Sequence, residues 1–231
     1  MNPEEIQAEE ALNWIKKHAK ELIKQFASLE AYQTETKLIT IFMAGSPGAG
    51  KTEVARRLAE KFMKKPVLID ADEIRKLCPG YNGTNAHIFQ RVANKGVNTL
   101  YDHVLHKSLN AIVDGTFAYA DSTKNITRSL ERNRKVEIYF VYQEPLQAWE
   151  FTKKREALEG RRVSKETFIR AFFMAQANVN KAKAEFGNKI ELNLVIKNNS
   201  NAIETLELNI DKIDYFLTTK YTEEQLKEIL V

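Results

Sequence analysis

The sequence predicts an α/β fold in which a mainly parallel sheet of five or six strands carries helices on both faces. Two observations predict it: short apolar, β-branched runs alternate with amphipathic helical patterns, and a glycine-rich turn follows the first of these runs. The chain has 231 residues, of which 43% are hydrophobic and 29% charged, so it can bury one sizeable core. We therefore expect a single domain over residues 1–231.

The elements follow one another in a simple order. The strand-like runs are at residues 38–44, 66–70, 110–115, 136–142 and 190–196. Helical patterns separate them, which favours parallel pairing. We expect a helical segment at 1–35, a core at 36–197 and a C-terminal extension at 198–231 that ends in a helix capped by Thr222 and Gln225.

The N-terminal pattern over residues 4–32 predicts one helix or two with an apolar stripe. This stripe could pack on the sheet, or it could meet a partner protein such as an antitoxin. We favour packing on the sheet, because an exposed stripe of this size would lower solubility.

Charge and composition exclude several classes of protein. The net charge is +4, yet basic and acidic residues are interleaved, which argues against a dedicated nucleic-acid binder. A single cysteine, Cys78, excludes an internal disulfide framework. The acidic start differs from a signal peptide, and no apolar run approaches a membrane-spanning length. We expect a cytoplasmic protein that binds neither membrane nor nucleic acid.

The segment GSPGAGKT fits the phosphate-loop pattern of P-loop NTPases, two glycines at fixed spacing followed by Lys and Thr. It consists of Gly45, Ser46, Pro47, Gly48, Ala49, Gly50, Lys51 and Thr52. Its backbone N–H groups and the helix that follows would hold phosphate oxygens. Lys51 would neutralise phosphate charge, and the Thr52 hydroxyl would bind Mg²⁺. The sequence therefore predicts a site for ATP or GTP with Mg²⁺.

Acidic residues follow two further strands, where ligands gather in a parallel sheet. Asp70 and Asp72 could accept a proton from an incoming hydroxyl or hold Mg²⁺. The alternative for Asp72 is a helix N-cap. Asp114, with Thr116 nearby, has the Walker B position, which contacts the metal. The alternative for Asp114 is a structural role in which its side chain caps the loop.

A basic cluster lies between two helical patterns at residues 153–166. Arg155, Arg161 and Arg162 flank Gly160, as in a mobile lid that brings guanidinium groups onto phosphate. The alternative is a solvated charged helix.

These blocks together resemble the zeta toxin family of P-loop kinases. The blocks are GSPGAGKT, DADEIRKLCPGY, VDGTF and KKREALEGRR, in this order, and the resemblance covers roughly residues 36–197. It implies a nucleoside-kinase-like fold with a lid. It also implies transfer of the γ-phosphate of ATP or GTP to a sugar nucleotide, with UDP-N-acetylglucosamine as the characterised acceptor, and an antitoxin as a protein partner.

The resemblance also implies roles for individual residues. Lys51 and Thr52 would bind phosphate and Mg²⁺, and Asp72 would be the general base. Arg155 and Arg162 would stabilise the transferring phosphate, with Arg161 on the nucleotide. The acceptor would be bordered by Asp70, Arg75, Asn98, Asp102, Asp114 and Thr116. The sequence departs from the family pattern in two places: no Arg shortly follows the glycine of VDGTF, and Asn98 replaces a Glu.

Two other functions stay open. The same machinery could phosphorylate a nucleoside, a cofactor or an antibiotic hydroxyl. A nucleotide-binding switch could instead act through a protein contact. A switch does not need arginines on the phosphate, so nucleotide turnover that survives Arg155→Ala and Arg162→Ala would favour it.

Overall fold

The structure is a computed structural model, and it describes residues 2–198, 200–217 and 219–231. Its centre is a six-stranded sheet of order β2-β3-β1-β4-β5-β6. The strands are β1 Ile39–Ala44, β2 Val67–Asp70, β3 Ala111–Asp114, β4 Lys135–Tyr142, β5 Ile190–Lys197 and β6 Ile203–Glu207. The first five are parallel, whereas β6 runs antiparallel to β5. The predicted α/β sheet is thereby confirmed, with six strands.

Helices connect the strands and cover the sheet. They are α1 Pro3–Lys17, α2 Ala19–Ala27, α3 Lys51–Ala59, α4 Ala71–Lys76, α5 Gln90–His106, α6 Lys124–Leu130, α7 Pro145–Glu159, α8 Lys165–Phe186 and α9 Glu223–Ile229. The last begins with the expected capping box of Thr222 and Gln225. Among the described residues, no helix is long and apolar enough to span a membrane.

Both faces of the sheet are buried, as the apolar strands require. Along β1, Ile41 and Met43 point to one face and pack with Val54 of α3. Phe42, between them, points to the other face and joins the larger core with Tyr101 of α5. Strand β1 therefore lies at the centre of the domain, and the loop that follows it is anchored on both sides.

The N-terminal helices belong to this larger core. Leu12 and Ile15 of α1 and Leu22 of α2 are buried in it, at 8%, 2% and 2% exposure. Both helices pack on α5. Most of the apolar stripe that the sequence predicts is thus covered by the domain itself, whereas Ile6 and Leu29 at its two ends stay exposed.

Candidate active site

The phosphate loop joins the end of β1 to the start of α3, at the carboxyl edge of the sheet. Gly50 precedes α3 with a φ of 83°. This backbone conformation favours glycine, and a Cβ at this position would also displace the Lys197 Nζ, which would lie 2.7 Å away. Lys51 donates from Nζ to the Ser46 carbonyl at 2.7 Å. Burial lowers its pKa to about 8, an effect that the nearby Asp114 opposes.

Oxygen ligands converge beside Lys51. The Thr52 hydroxyl donates to Asp114 Oδ2 at 2.6 Å, and Asp114 is 9% exposed. Asp70 pairs with Asp114 in the register of β2 and β3. Burial, and then the charges of Asp114 and Asp72, raise the pKa of Asp70 to about 6. Two carboxylates and a hydroxyl fit Mg²⁺, which takes a few protein oxygens together with phosphate and water.

Asp70 caps helix α4, so the carboxylate of Asp72 is available for contacts other than capping. Strand β2 ends at Asp70, whose Oδ1 accepts a hydrogen bond from the Asp72 backbone N–H at 2.7 Å. The alternative interpretation of Asp72 as the N-cap is therefore wrong. Asp72 lies instead in the first turn of α4, with its side chain 13% exposed.

Three arginines surround Asp72. Its Oδ1 accepts from Arg75 Nη1 at 2.5 Å. Its Oδ2 accepts from Arg161 Nη1, and Arg155 Nη2 lies 3.5 Å from the same oxygen. A cavity of about 230 Å³ adjoins this cluster and is also lined by Tyr81. The end of α7, with Arg155, and the segment after it, with Arg161, thus bring two arginines onto the predicted base.

Arg162 lies apart from this cluster. Its side chain is 71% exposed, and it lies 3.9 Å from Glu156. The structure therefore does not bring it together with Asp72, and its contact with a transferring phosphate stays a prediction.

The predicted acceptor residues lie in different places. The Thr116 carbonyl accepts from the Gly45 N–H at 3.2 Å, next to the phosphate loop. Asn98 is exposed in the middle of α5. Asp102 pairs with Arg128 of α6 and lines a cavity of about 510 Å³ together with Leu38, Ser108 and other residues. Because Leu38 and Ser108 shortly precede β1 and β3, this cavity lies at the amino edge of the sheet, away from the phosphate loop.

Two contacts near the candidate site had no signal in the sequence. Gln90 accepts through Oε1 from Arg75 Nη2 at 2.7 Å. Lys197, whose side chain is 1% exposed, donates to Glu53 of α3 at 2.7 Å. The partners are far apart along the chain, at 15 and 144 positions. Local patterns cannot reveal such pairs.

Comparison with known proteins identifies related chains. The zeta toxin family model matches residues 23–210, which is more than half of the chain. No sequence among the curated proteins matches this chain.

Two solved structures show the same fold. A chain from the PezAT chromosomal toxin-antitoxin system of Streptococcus pneumoniae has a TM-score of 0.62 at 17% identity, over 94% of this chain and 86% of that one. A chain from the AvrRxo1-ORF1:-ORF2 complex with ATP has a TM-score of 0.59 at 13% identity, over 93% of this chain and 72% of that one.

Proposed function

Because this chain belongs to the zeta toxin family, we propose that it transfers the γ-phosphate of ATP or GTP to a hydroxyl of a sugar nucleotide such as UDP-N-acetylglucosamine. One observation carries the proposal. The phosphate loop, with Lys51, and the carboxylate of Asp72 meet at the same edge of the sheet, with two arginines beside them. A nucleotide held by the loop would present its γ-phosphate to this carboxylate.

The nucleotide side of the site would bind and orient the triphosphate. The backbone N–H groups of the loop and the charge of Lys51 would hold the β and γ phosphates. Thr52 and Asp114 would hold Mg²⁺, which when bound offsets phosphate charge. Lys51 now donates to the Ser46 carbonyl, so it would exchange this bond for a phosphate oxygen.

The acceptor side would supply the base. Asp72 Oδ2 would take the proton of the acceptor hydroxyl while the oxygen of that hydroxyl forms a bond to the γ-phosphorus. The bond from that phosphorus to the bridging oxygen would break, and ADP or GDP would leave. Arg155 and Arg161 contact Asp72 Oδ2 in the free chain and would turn to the phosphate, where charge develops.

Mass spectrometry tests the proposal. The protein is incubated with ATP, Mg²⁺ and UDP-N-acetylglucosamine, and the mass of the sugar nucleotide is measured. We expect the mass of one added phosphate, and no such product with Lys51→Ala. If wild-type protein binds ATP but leaves the sugar nucleotide unchanged, this acceptor is wrong and other hydroxyl compounds have to be tested.

We further propose that the chain is toxic when it is expressed alone and that an antitoxin protein relieves this toxicity. Support comes from the similar chain of a toxin-antitoxin system. Expression of the wild-type chain alone should reduce colony counts, whereas Lys51→Ala at the same protein level should not. Equal colony counts for the two would contradict this part of the proposal.

A further inference from the structure

We propose that Arg75 and Gln90 are positioning residues that fix the orientation of the Asp72 carboxylate, so that one oxygen is anchored and the other is free to act. This inference rests on the proposed function of Asp72 as the base. Neither residue would touch the substrate; both would act through Asp72.

Arg75 is buried beside Asp72. It is 5% exposed, and burial lowers its pKa, although an arginine keeps its charge at neutral pH. Its Nε is buried and has no hydrogen-bond partner among the described residues. Arg75 also does not line the cavity beside Asp72, so it lies behind the carboxylate and not, as the resemblance implied, at the acceptor. Its role must therefore lie in the groups that it does contact.

The second step is the division of the Asp72 oxygens. Oδ1 accepts from the buried Arg75, which lies one turn further along the same helix. Oδ2 accepts from Arg161 and lies near Arg155, whose side chains are 24% and 40% exposed. The buried contact is fixed by its surroundings, whereas the more exposed arginines can leave. Oδ2 is thus the oxygen that becomes available to an acceptor hydroxyl.

The third step is the support of Arg75 by α5. Gln90, the first residue of α5, accepts from Arg75 Nη2 at 2.7 Å and donates through Nε2 to Asn94 at 3.0 Å. The two helices can approach because Gly96 lies between them: a Cβ there would come within 2.6 Å of Ile74 of α4. Gln90 therefore holds the guanidinium at its second nitrogen, and the guanidinium holds Asp72.

Gln90 offers a test that leaves the core intact, because it lies on the surface of α5. ADP release from ATP and Mg²⁺ is measured with and without UDP-N-acetylglucosamine, and nucleotide affinity is measured separately with a fluorescent ATP analogue. We expect Gln90→Met to lower turnover about tenfold and to leave nucleotide affinity within about twofold, since a misplaced base affects only the reaction step. The exposed neighbour Arg91 provides the matched control, Arg91→Met, which should change neither quantity.

A second variant removes the guanidinium itself. Arg75→Ala should lower turnover more than Gln90→Met, and added guanidinium ion should restore part of it, whereas urea should not. A role in folding alone would predict losses in turnover that follow thermal stability and that guanidinium does not repair.

The outcomes separate this inference from the proposed function. If Asp72→Asn lowers turnover but Gln90→Met behaves like Arg91→Met, the positioning role is overturned and the base assignment survives. If Asp72→Asn leaves turnover unchanged, both are overturned. A loss in Gln90→Met confined to turnover, with repair of Arg75→Ala by guanidinium, supports the inference.

Discussion

At the scale of single residues, the state of Lys51 links nucleotide binding to pH. Burial lowers its pKa from 10.5 to about 8 in the free chain, and a bound phosphate would favour the charged form again. Binding at pH 9 should therefore take up a proton, whereas binding at pH 7 should take up almost none through this group. Affinity should fall as the pH rises above 8.

Calorimetry in buffers with different ionisation enthalpies measures this proton uptake. The Lys51→Met variant should lose the uptake at pH 9. Equal proton uptake in the wild-type protein at pH 7 and pH 9 would contradict the lowered pKa.

The raised pKa of Asp70 makes the stability of the folded chain depend on pH. Its pKa is raised to about 6 from 3.8, so the folded chain binds this proton more tightly than the unfolded one. The stabilisation is present at low pH and is lost as the pH rises through about 6. Asp70→Asn keeps a good N-cap and removes the charge, so at pH 7 it should raise the free energy of unfolding, by on the order of 1 kcal/mol.

Thermal unfolding without Mg²⁺ at pH 7 and pH 4.5 checks this prediction. The advantage of Asp70→Asn should shrink at pH 4.5, where the wild-type carboxyl is protonated. A variant that is less stable than wild type at pH 7 would show that the carboxylate is not repelled by its neighbours.

The types of the residues near Gly160 do not decide which of the three arginines there contacts Asp72. Three arginines near Gly160 have the right chemistry for phosphate, but only their backbone directions decide which ones face Asp72. Arg161 contacts Asp72, whereas Arg162 is 71% exposed. We expect Arg161→Ala to lower ADP release at least about tenfold and Arg162→Ala much less, because charge acts on phosphate at short range. The reverse order would place Arg162 in the working lid.

At the scale of elements, the first five strands were predictable because most of their side chains are buried on both faces of the sheet. The five apolar runs match β1 to β5 to within one residue at each end. Strand β6 was not located, because at the edge of the sheet most of its residues are exposed and its sequence, IETLE, lacks an apolar run. Burial on both faces leaves a clear pattern in the sequence, and an edge strand leaves little.

The end of β5 supports helix α3, which follows the phosphate loop, through an ion pair between a buried and an exposed side chain. Lys197 has a side chain that is 1% exposed, whereas that of Glu53 is 40% exposed. The hydrogen bond from Lys197 holds the pKa of Glu53 below its ordinary value. Removal of Glu53 would leave a buried charge without this partner, but removal of Lys197 would leave a carboxylate that water can solvate.

Glu53→Ala should therefore lower the free energy of unfolding by about 3 kcal/mol, and Lys197→Met by about 1 kcal/mol. Denaturant unfolding of both variants measures the difference. A larger loss for Lys197→Met would mean that the pair is not asymmetric in its solvation.

At the scale of the whole molecule, the carboxyl edge of the sheet carries the phosphate loop together with Asp72, which we propose to act on the acceptor. The phosphate loop, Asp70 and Asp114 could be predicted because each directly follows a buried strand. The family resemblance implied that Asp102 borders the acceptor, but the direction of α5 carries it toward the amino edge, where it pairs with Arg128. Positions along a long helix depend on its tilt and rotation, which sequence spacing does not fix.

We propose that the phosphate loop binds the nucleotide whereas Asp72 acts on the acceptor, and Asp72→Asn tests this division most directly. ADP release is measured with ATP, Mg²⁺ and UDP-N-acetylglucosamine, and nucleotide affinity is measured in the same preparation. We expect Asp72→Asn to lower turnover by on the order of 100-fold and to leave nucleotide affinity nearly unchanged, because the base acts on the acceptor and not on the bound nucleotide. Unchanged turnover, or an equal loss of affinity and turnover, would contradict it.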